Sequence, residues 1–429
     1  MRPRLRWPAS AAPEDGDRAG VAAVGVPVLL LVAGLALGGT AGWRSVTGRA
    51  AAAPGAPVGP PLLVRSVEGP IEELRGQGEI AYAGADGVIA ALTPDGRARR
   101  ALGRATKLRG KPAGAAFEPG GTLPMVSADG AVAYGYLDDG SPASVRLADA
   151  RMLRLSPPGT VAATAIRQSA DGAVVAVCTG KRRGETEVDS PVTSIAERDG
   201  RQLASFPGCL LDLARDGRAA LVPEDPAGAS GTHQGPVRGV RLWRRSGSYR
   251  PVLSPAAAVE AASLVDPTAK SGNVVVDGAW LAPDARRALV RVAVADPPPP
   301  VGGWRSGPAL VLVDLASRHW ELVPSEAPTS TGPVLWAPNG AFAHALPPDS
   351  WDPSGANLLV TYAPPVGTPT LLEVSHRTDS RMVFSPDGAW LLLHGGGQWV
   401  FIRVEDPSLR VTYVAPGEFA GWLPGQGTR

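Results

Sequence analysis

The residues that could do chemistry in this 429-residue chain are few: five histidines and two cysteines. His233, His319, His344, His376 and His394 are scattered and never fall at the short spacings of a metal site. No Gly-x-Ser-x-Gly elbow occurs, so no serine nucleophile of that kind is expected. No glycine-rich loop opens a helix to cradle a phosphate. The sequence therefore points to no catalytic residue, no cofactor and no metal ligand. A catalytic His or carboxylate assembled from distant loops stays open. Cys178 and Cys209 are the only thiols, so a disulfide between them is expected if the domain is exported; the alternative is two buried thiols that never meet. Lys and Arg total 42 against 40 Asp and Glu, a formal net charge of +2 with no basic block. Nucleic acid is not an expected partner.

What must position any site is a repeated phrase. It reads Ser127-Ala128-Asp129-Gly130, Ser169-Ala170-Asp171-Gly172, Ala214-Arg215-Asp216-Gly217, Ala337-Pro338-Asn339-Gly340 and Ser385-Pro386-Asp387-Gly388. Ala282-Pro283-Asp284-Ala285 lacks the Gly, and Arg75-Gly76-Gln77-Gly78 is a degenerate first copy. Pro presets φ at the second position of a type I turn, Asp or Asn suits the third, and Gly accepts the left-handed conformation that closes a hairpin. Successive copies lie about 42–68 residues apart, and a four-stranded propeller blade takes roughly 40–50. A second hairpin follows within each unit: Val88–Leu92 with Arg97–Leu102, Val192–Ile195 with Arg201–Ala204, and Leu310–Leu315 with His319–Val323. Two hairpins per unit make four strands.

These residues resemble the TolB-type, WD-repeat-like β-propellers, whose blades carry a Ser-Pro-Asp-Gly turn between the inner strands and a loose Asp-Leu-x-x-Gly outer hairpin. The resemblance covers roughly residues 65–425, and only Ser385–Gly388 matches the turn in full. It implies an all-β fold, an about seven-bladed β-propeller of four-stranded antiparallel blades. A β-sandwich would not hold one phase over six copies. The resemblance says little of function, because such propellers act as scaffolds, sensors and substrate filters alike. By this strand assignment Cys178 ends the second strand of one blade and Cys209 begins the first strand of the next.

The propeller is expected to be preceded by one transmembrane helix. Val21–Ala41 holds no charge and is long enough to span a bilayer. Arg2, Arg4, Arg6 and Arg18 precede it, which places the N-terminus inside and the propeller outside. The alternative is a signal peptide cleaved at Ala51-Ala52-Ala53; either way the propeller is extracytoplasmic. Gly34, Gly38 and Gly42 have the spacing of close helix pairs. The expected organisation is a cytoplasmic tail over 1–20, the membrane helix over 21–41, a Pro/Ala/Gly-rich linker over 42–64 and the propeller over 65–425.

Four longer stretches, Lys181–Pro191, Glu224–Arg238, Asp296–Pro308 and Pro347–Ala356, all fall between the second and third strands of their blades. In a radial repeat that puts them on one face, where binding loops gather. Arg182, Arg183, Trp304, Arg305 and Trp351 supply the Arg and Trp character of binding hot spots. The opposite face is expected to carry only tight Asp-Gly turns. The function expected is that of a non-catalytic membrane-tethered propeller binding a protein or envelope component. The alternative is an envelope hydrolase or lyase with its site at the central channel.

Overall fold

The computed structural model describes residues 74–84, 86–96, 98–109, 125–162, 166–183, 187–224, 237–296, 303–323, 334–346, 357–363, 370–375, 381–395, 397–406 and 410–424. The chain divides into two units, Met1–Ala51 and Ala52–Arg429. The expected tail, membrane helix and linker lie outside the described residues, and among the described residues no helix is long and apolar enough to cross a membrane. The β-propeller belongs to the second unit.

Apart from the degenerate first copy, the inner and outer hairpins form where the sequence places them. The Ser127 copy shows how the turn works. Ser127 Oγ donates to Asp129 Oδ1 at 2.7 Å and accepts from Val132 N at 3.0 Å, while Asp129 Oδ1 accepts from Ala131 N at 3.1 Å. Gly130 N closes the turn on Ser127 O at 2.8 Å. The same bonds recur around Ser169 and Ser385. The serine is therefore part of the mechanism: its buried hydroxyl satisfies a strand N–H that the turn would orphan. Glycine has two reasons to close it. Gly172 and Gly217 have φ of 66° and 67°. A Cβ on Gly172 would also come within 2.7 Å of Ser127 Cβ, and one on Gly217 within 2.7 Å of Val174 Cβ. Each turn thus nests against the sheet before it.

Six sheets are four-stranded and antiparallel. The expected count was about seven four-stranded blades; six are found among the described residues, and the remaining sheet has five strands. Its second strand, Val174–Arg183, is ten residues long and outruns the short inner strand Arg167–Gln168; a separate strand, Thr160–Ala162, pairs with its far end. Strands such as Val132–Tyr136 and Ala219–Pro223 are buried at every position. Neighbouring sheets cover both of their faces, so they read as continuous apolar runs and not as alternation. Successive inner strands bind one another directly: Gln168 Nε2 donates to Val126 O at 3.0 Å, Leu281 N to Asp212 Oδ2 at 2.8 Å and Trp336 Nε1 to Trp280 O at 3.1 Å.

The ring closes through its ends. Glu418–Leu423 supplies the inner strand of a sheet whose other strands are Glu79–Ala83, Val88–Leu92 and Arg99–Arg104. Arg75–Gly78 is thus no hairpin turn, because the strand before it in space comes from the far end of the chain. Trp422 Nε1 donates to Gln77 O at 2.6 Å across that gap. The seam holds an aromatic cluster: Phe401 meets Tyr413 and Trp422 edge-on at 5.4 and 5.6 Å, and Tyr82 meets Trp399 at 6.1 Å.

Three further features depart from expectation. Lys181–Pro191 and Asp296–Pro308 are not simple loops but extended hairpins, with Arg182 opposite Val188, Arg183 opposite Glu187, Ala295 opposite Trp304 and Val294 opposite Arg305. A helix, α1 (Pro255–Ser263), links two blades. Ser254 caps it, its Oγ accepting from Ala257 N at 3.2 Å, Pro255 opens it, and Ala258, Ala261 and Ala262 bury one face. The all-β expectation had no place for a helix in the propeller. Lastly, Cys209 lies in the crossover after Gln202–Pro207 and not in the next inner strand. It forms a disulfide with Cys178, Cα–Cα 5.2 Å. Thr193, opposite Cys178, fastens the same crossover: its Oγ1 donates to Gly208 O at 2.7 Å and accepts from Leu210 N at 3.0 Å.

Two outcomes follow. Phe401→Ala should cost about 3–5 kcal/mol in denaturant unfolding, because Phe401 is fully buried in the closing seam; a cost below about 1 kcal/mol would mean the seam does not hold the ring. The disulfide closes a 31-residue separation, so Cys178→Ala with Cys209→Ala should lose about 3 kcal/mol. Thiol labelling of the unfolded, unreduced protein should find none free.

A charged cleft as the candidate functional site

The turns between first and second strands and those between third and fourth strands share one face of the ring. On that face, outer turns of one sheet reach across to the next. Arg198 Nη1 pairs with Asp129 Oδ2 of the preceding sheet at 2.6 Å, and Arg245 Nη2 with Glu197 Oε1 at 3.2 Å. Between these bridges lies an open cleft of about 730 Å³ that spans three sheets. Its walls carry five arginines, Arg146, Arg151, Arg198, Arg218 and Arg245, and four acids, Asp171, Glu197, Asp199 and Asp216, with Val132, Val174 and Leu153 between them.

The acids are engaged internally. Asp171 Oδ1 accepts from Ser169 Oγ at 2.6 Å and Ala173 N at 2.9 Å; burial works against its charge, but these bonds hold its carboxyl below the usual range. Asp199 and Asp216 each accept a turn N–H at 2.9 Å, from Arg201 and Arg218. Hydrogen bonding from Arg201, then from Arg245, lowers the carboxyl of Glu197. Asp129 is also lowered: burial opposes its charge, and Ser127, Arg198 and Ala131 N overcome it. Arg146 is held by Asp149, Nε to Oδ1 at 2.9 Å. Arg151 and Arg218 make no ion pair and no side-chain hydrogen bond among the described residues.

This face was expected to offer only tight turns with little reach. The error has a simple source: the Asp-Gly turns are short, but the outer hairpins end on the same face and bring Arg146, Arg151, Arg198 and Arg245 with them. The signal was present in outer-turn phrases such as Glu197-Arg198-Asp199-Gly200 and Arg244-Arg245-Ser246-Gly247. Of the residues expected on the other face, Arg182 and Arg183 lie on the five-stranded sheet's hairpin. Trp304 and Arg305 lie on the hairpin of the sheet after next, with the sheet containing Asp212–Leu213 and Ala219–Pro223 between the two pairs. Trp351 lies outside the described residues.

The inner strands hold a second group of charges. Asp212 Oδ2 accepts from Leu281 N at 2.8 Å, and its carboxyl is pushed up to about 6 by burial, against the pull of Arg167 and of two backbone N–H groups. Asp277 sits in a bulge of the next inner strand, paired with Arg291 at 2.6 Å, both side chains 11% exposed. Burial raises its carboxyl against the pull of Arg291, which also lies 5.2 Å over the Trp280 ring. Among the described residues no group of three His, Cys, Asp or Glu side chains is placed to hold a metal ion. His394 is buried and stacked on Phe419, with ring centroids 4.4 Å apart; His233 and His376 lie outside the described residues.

No family model matches the sequence, and no curated protein does. Solved structures do match in fold. An oligogalacturonate lyase in complex with manganese is 11% identical, with a TM-score of 0.52 over 86% of this chain and 99% of that one. An oligogalacturonate lyase from Vibrio parahaemolyticus is 9% identical, with a TM-score of 0.50 over 84% and 98%. TolB from Acinetobacter baumannii is 12% identical, with a TM-score of 0.37 over 78% of each chain. Likeness at these identities is likeness of fold.

Asp212 yields a pH-dependent outcome. Its folded pKa of about 6 lies above the ordinary carboxylate value, so the folded state holds the proton more tightly than the unfolded state. Stability should fall as pH rises from about 4 to about 6 and carry the full penalty above that. Part of the residue still reaches solvent, which holds the penalty to about 1–3 kcal/mol. Asp212→Asn keeps an acceptor for Leu281 N and should flatten this slope in unfolding curves taken from pH 4 to 8. An unchanged slope would assign it to other groups.

Proposed function

We propose that this chain is a non-catalytic, membrane-tethered β-propeller that presents its charged cleft outside the cytoplasm to a protein or envelope component, as a scaffold or sensor. The cleft carries the reading. It is wide, open and walled by fixed charges, which suits a macromolecular surface; small-molecule pockets are mostly apolar and enclosed. The uncharged run Val21–Ala41 behind its arginines supports the tether, and the Cys178–Cys209 disulfide suits an oxidising compartment. The long hairpins bearing Arg182, Arg183, Trp304 and Arg305 offer a second contact surface on the other face.

One observation favours a second reading, an envelope hydrolase or lyase acting at the central channel. Asp212, with its raised carboxyl, sits on an inner strand beside Arg167, and perturbed carboxyls in clefts are common in active sites. The oligogalacturonate lyases share the fold, and fold alone does not carry their activity over.

The experiment is photo-crosslinking in intact cells, with the crosslinker placed in the cleft, on the long hairpins or at the channel, followed by external protease. The binding reading expects one reproducible partner from a face position, and protease should remove the propeller and leave a membrane stub. Release of a soluble protein starting near residue 54 would replace the anchor by a cleaved signal. A polymer-degrading activity of the purified chain that is lost in Asp212→Asn would overturn the non-catalytic reading.

A further inference from the structure

Resting on the reading of this chain as a binding propeller, we propose that the cleft takes an extended acidic segment of a partner protein, with carboxylates on Arg151 and Arg218 and apolar side chains over Leu153. The charges select the sign of the ligand. Every acid of the cleft wall already accepts a hydrogen bond from its own turn or from a neighbouring arginine. Arg146, Arg198 and Arg245 are held by Asp149, Asp129 and Glu197. Arg151 and Arg218, on different sheets at opposite sides of the cleft, are the lining cations with no ion pair and no side-chain hydrogen bond among the described residues; Asp149, hydrogen-bonded to Arg146, also feels the charge of Arg151. The groups left to meet a ligand are two guanidinium forks, which favour carboxylates in bidentate geometry.

The form of the ligand follows from the edge strand. Arg151–Arg154 is the outermost strand of its sheet, and all four residues are exposed, with Met152 at 41% and Leu153 at 39%. Alternation along the strand sets Arg151 and Leu153 on one face, and both line the cleft. An edge with open backbone groups can pair with an added strand, whose side chains then alternate toward the same wall. An acidic peptide with apolar residues between its carboxylates satisfies the edge, the apolar side chain and the two cations together. An acidic saccharide could meet the cations but has no amide ladder to offer the edge, so the observations favour the peptide.

The test uses the full chain in detergent micelles and a fluorescently labelled decapeptide of alternating Glu and Leu. Its Lys-for-Glu counterpart serves as control and oligogalacturonate as competitor. The Glu peptide should bind saturably, weaken as salt is raised, and lose at least about tenfold in affinity in the Arg151→Ala, Arg218→Ala double variant. Both arginines are exposed, so the thermal transition of that variant should match the parent and report its folding. The proposal is overturned if the Glu peptide does not bind, if the Lys peptide binds equally well, if the double variant binds unchanged, or if oligogalacturonate displaces the peptide at equal concentration. A partner crosslinked in cells whose capture ignores Arg151 and Arg218 would also overturn it, while leaving the binding-propeller reading intact.

Discussion

The pairing of Glu418–Leu423 with Glu79–Ala83 makes this molecule a ring and not a row of sheets. Each sheet of a radial repeat contacts only its neighbours, so an open array would leave two apolar faces in water. Closing the array joins segments more than 300 residues apart in the chain, and that loop entropy must be offset locally. The seam is built accordingly. Trp390, Tyr82 and Phe401 are among the largest fully buried side chains of the described residues, and all three sit there. Tyr413 Oη donates to Pro94 O at 2.7 Å and Trp422 Nε1 to Gln77 O at 2.6 Å, so even the polar atoms of the aromatics span the joint.

The inner turn transmits that closure around the ring. Because a Cβ at Gly172 or Gly217 would strike the sheet before it, the turn sets the spacing between sheets as well as reversing the chain. Where Gly is replaced, the backbone is unchanged: Ala285 takes φ of 50° in the copy that lacks it. The turn geometry is thus imposed by packing of neighbours and only favoured by residue type. This explains how one phrase tolerates Ser or Ala at its first position and Asp or Asn at its third.

The hairpins were legible because their chemistry is local. A Ser, an Asp and a Gly within four residues specify the turn, and the apolar runs on either side specify the strands. What sequence could not supply is what the ring brings together from a distance. The split inner strand of the five-stranded sheet depends on how far Val174–Arg183 extends beyond its partner. Helix α1 carries only a short local signal, Ser254 followed by Pro255, in a chain whose repeat otherwise specifies strands. The cleft is the clearest case. Arg198 and Asp129 are 69 residues apart and Arg245 and Glu197 are 48 apart, so their meeting is a property of adjacent blades. Strand assignment predicted the face on which long insertions gather, and the charges assembled on the other.

The aromatic seam and the charged cleft are built from different parts of the same sheets. The ion pairs at the cleft are partly open to solvent, with Arg245 44% and Glu197 28% accessible. Pairs of that kind contribute about 1 kcal/mol or less, little beside the aromatic seam. What they do instead is fix side chains. An arginine clamped to an acid of the next sheet no longer samples its rotamers, and an Asp that accepts its own turn's N–H cannot swing out to neutralise a neighbour. The result is a wall of preset charges in which only selected cations stay open, and binding to preset groups loses less conformational entropy than binding to free ones. Since the outer turns contribute little to holding the ring, their residues can change without loss of the fold. The repeated turn confines that freedom to one face, where side chains from three sheets line one cleft.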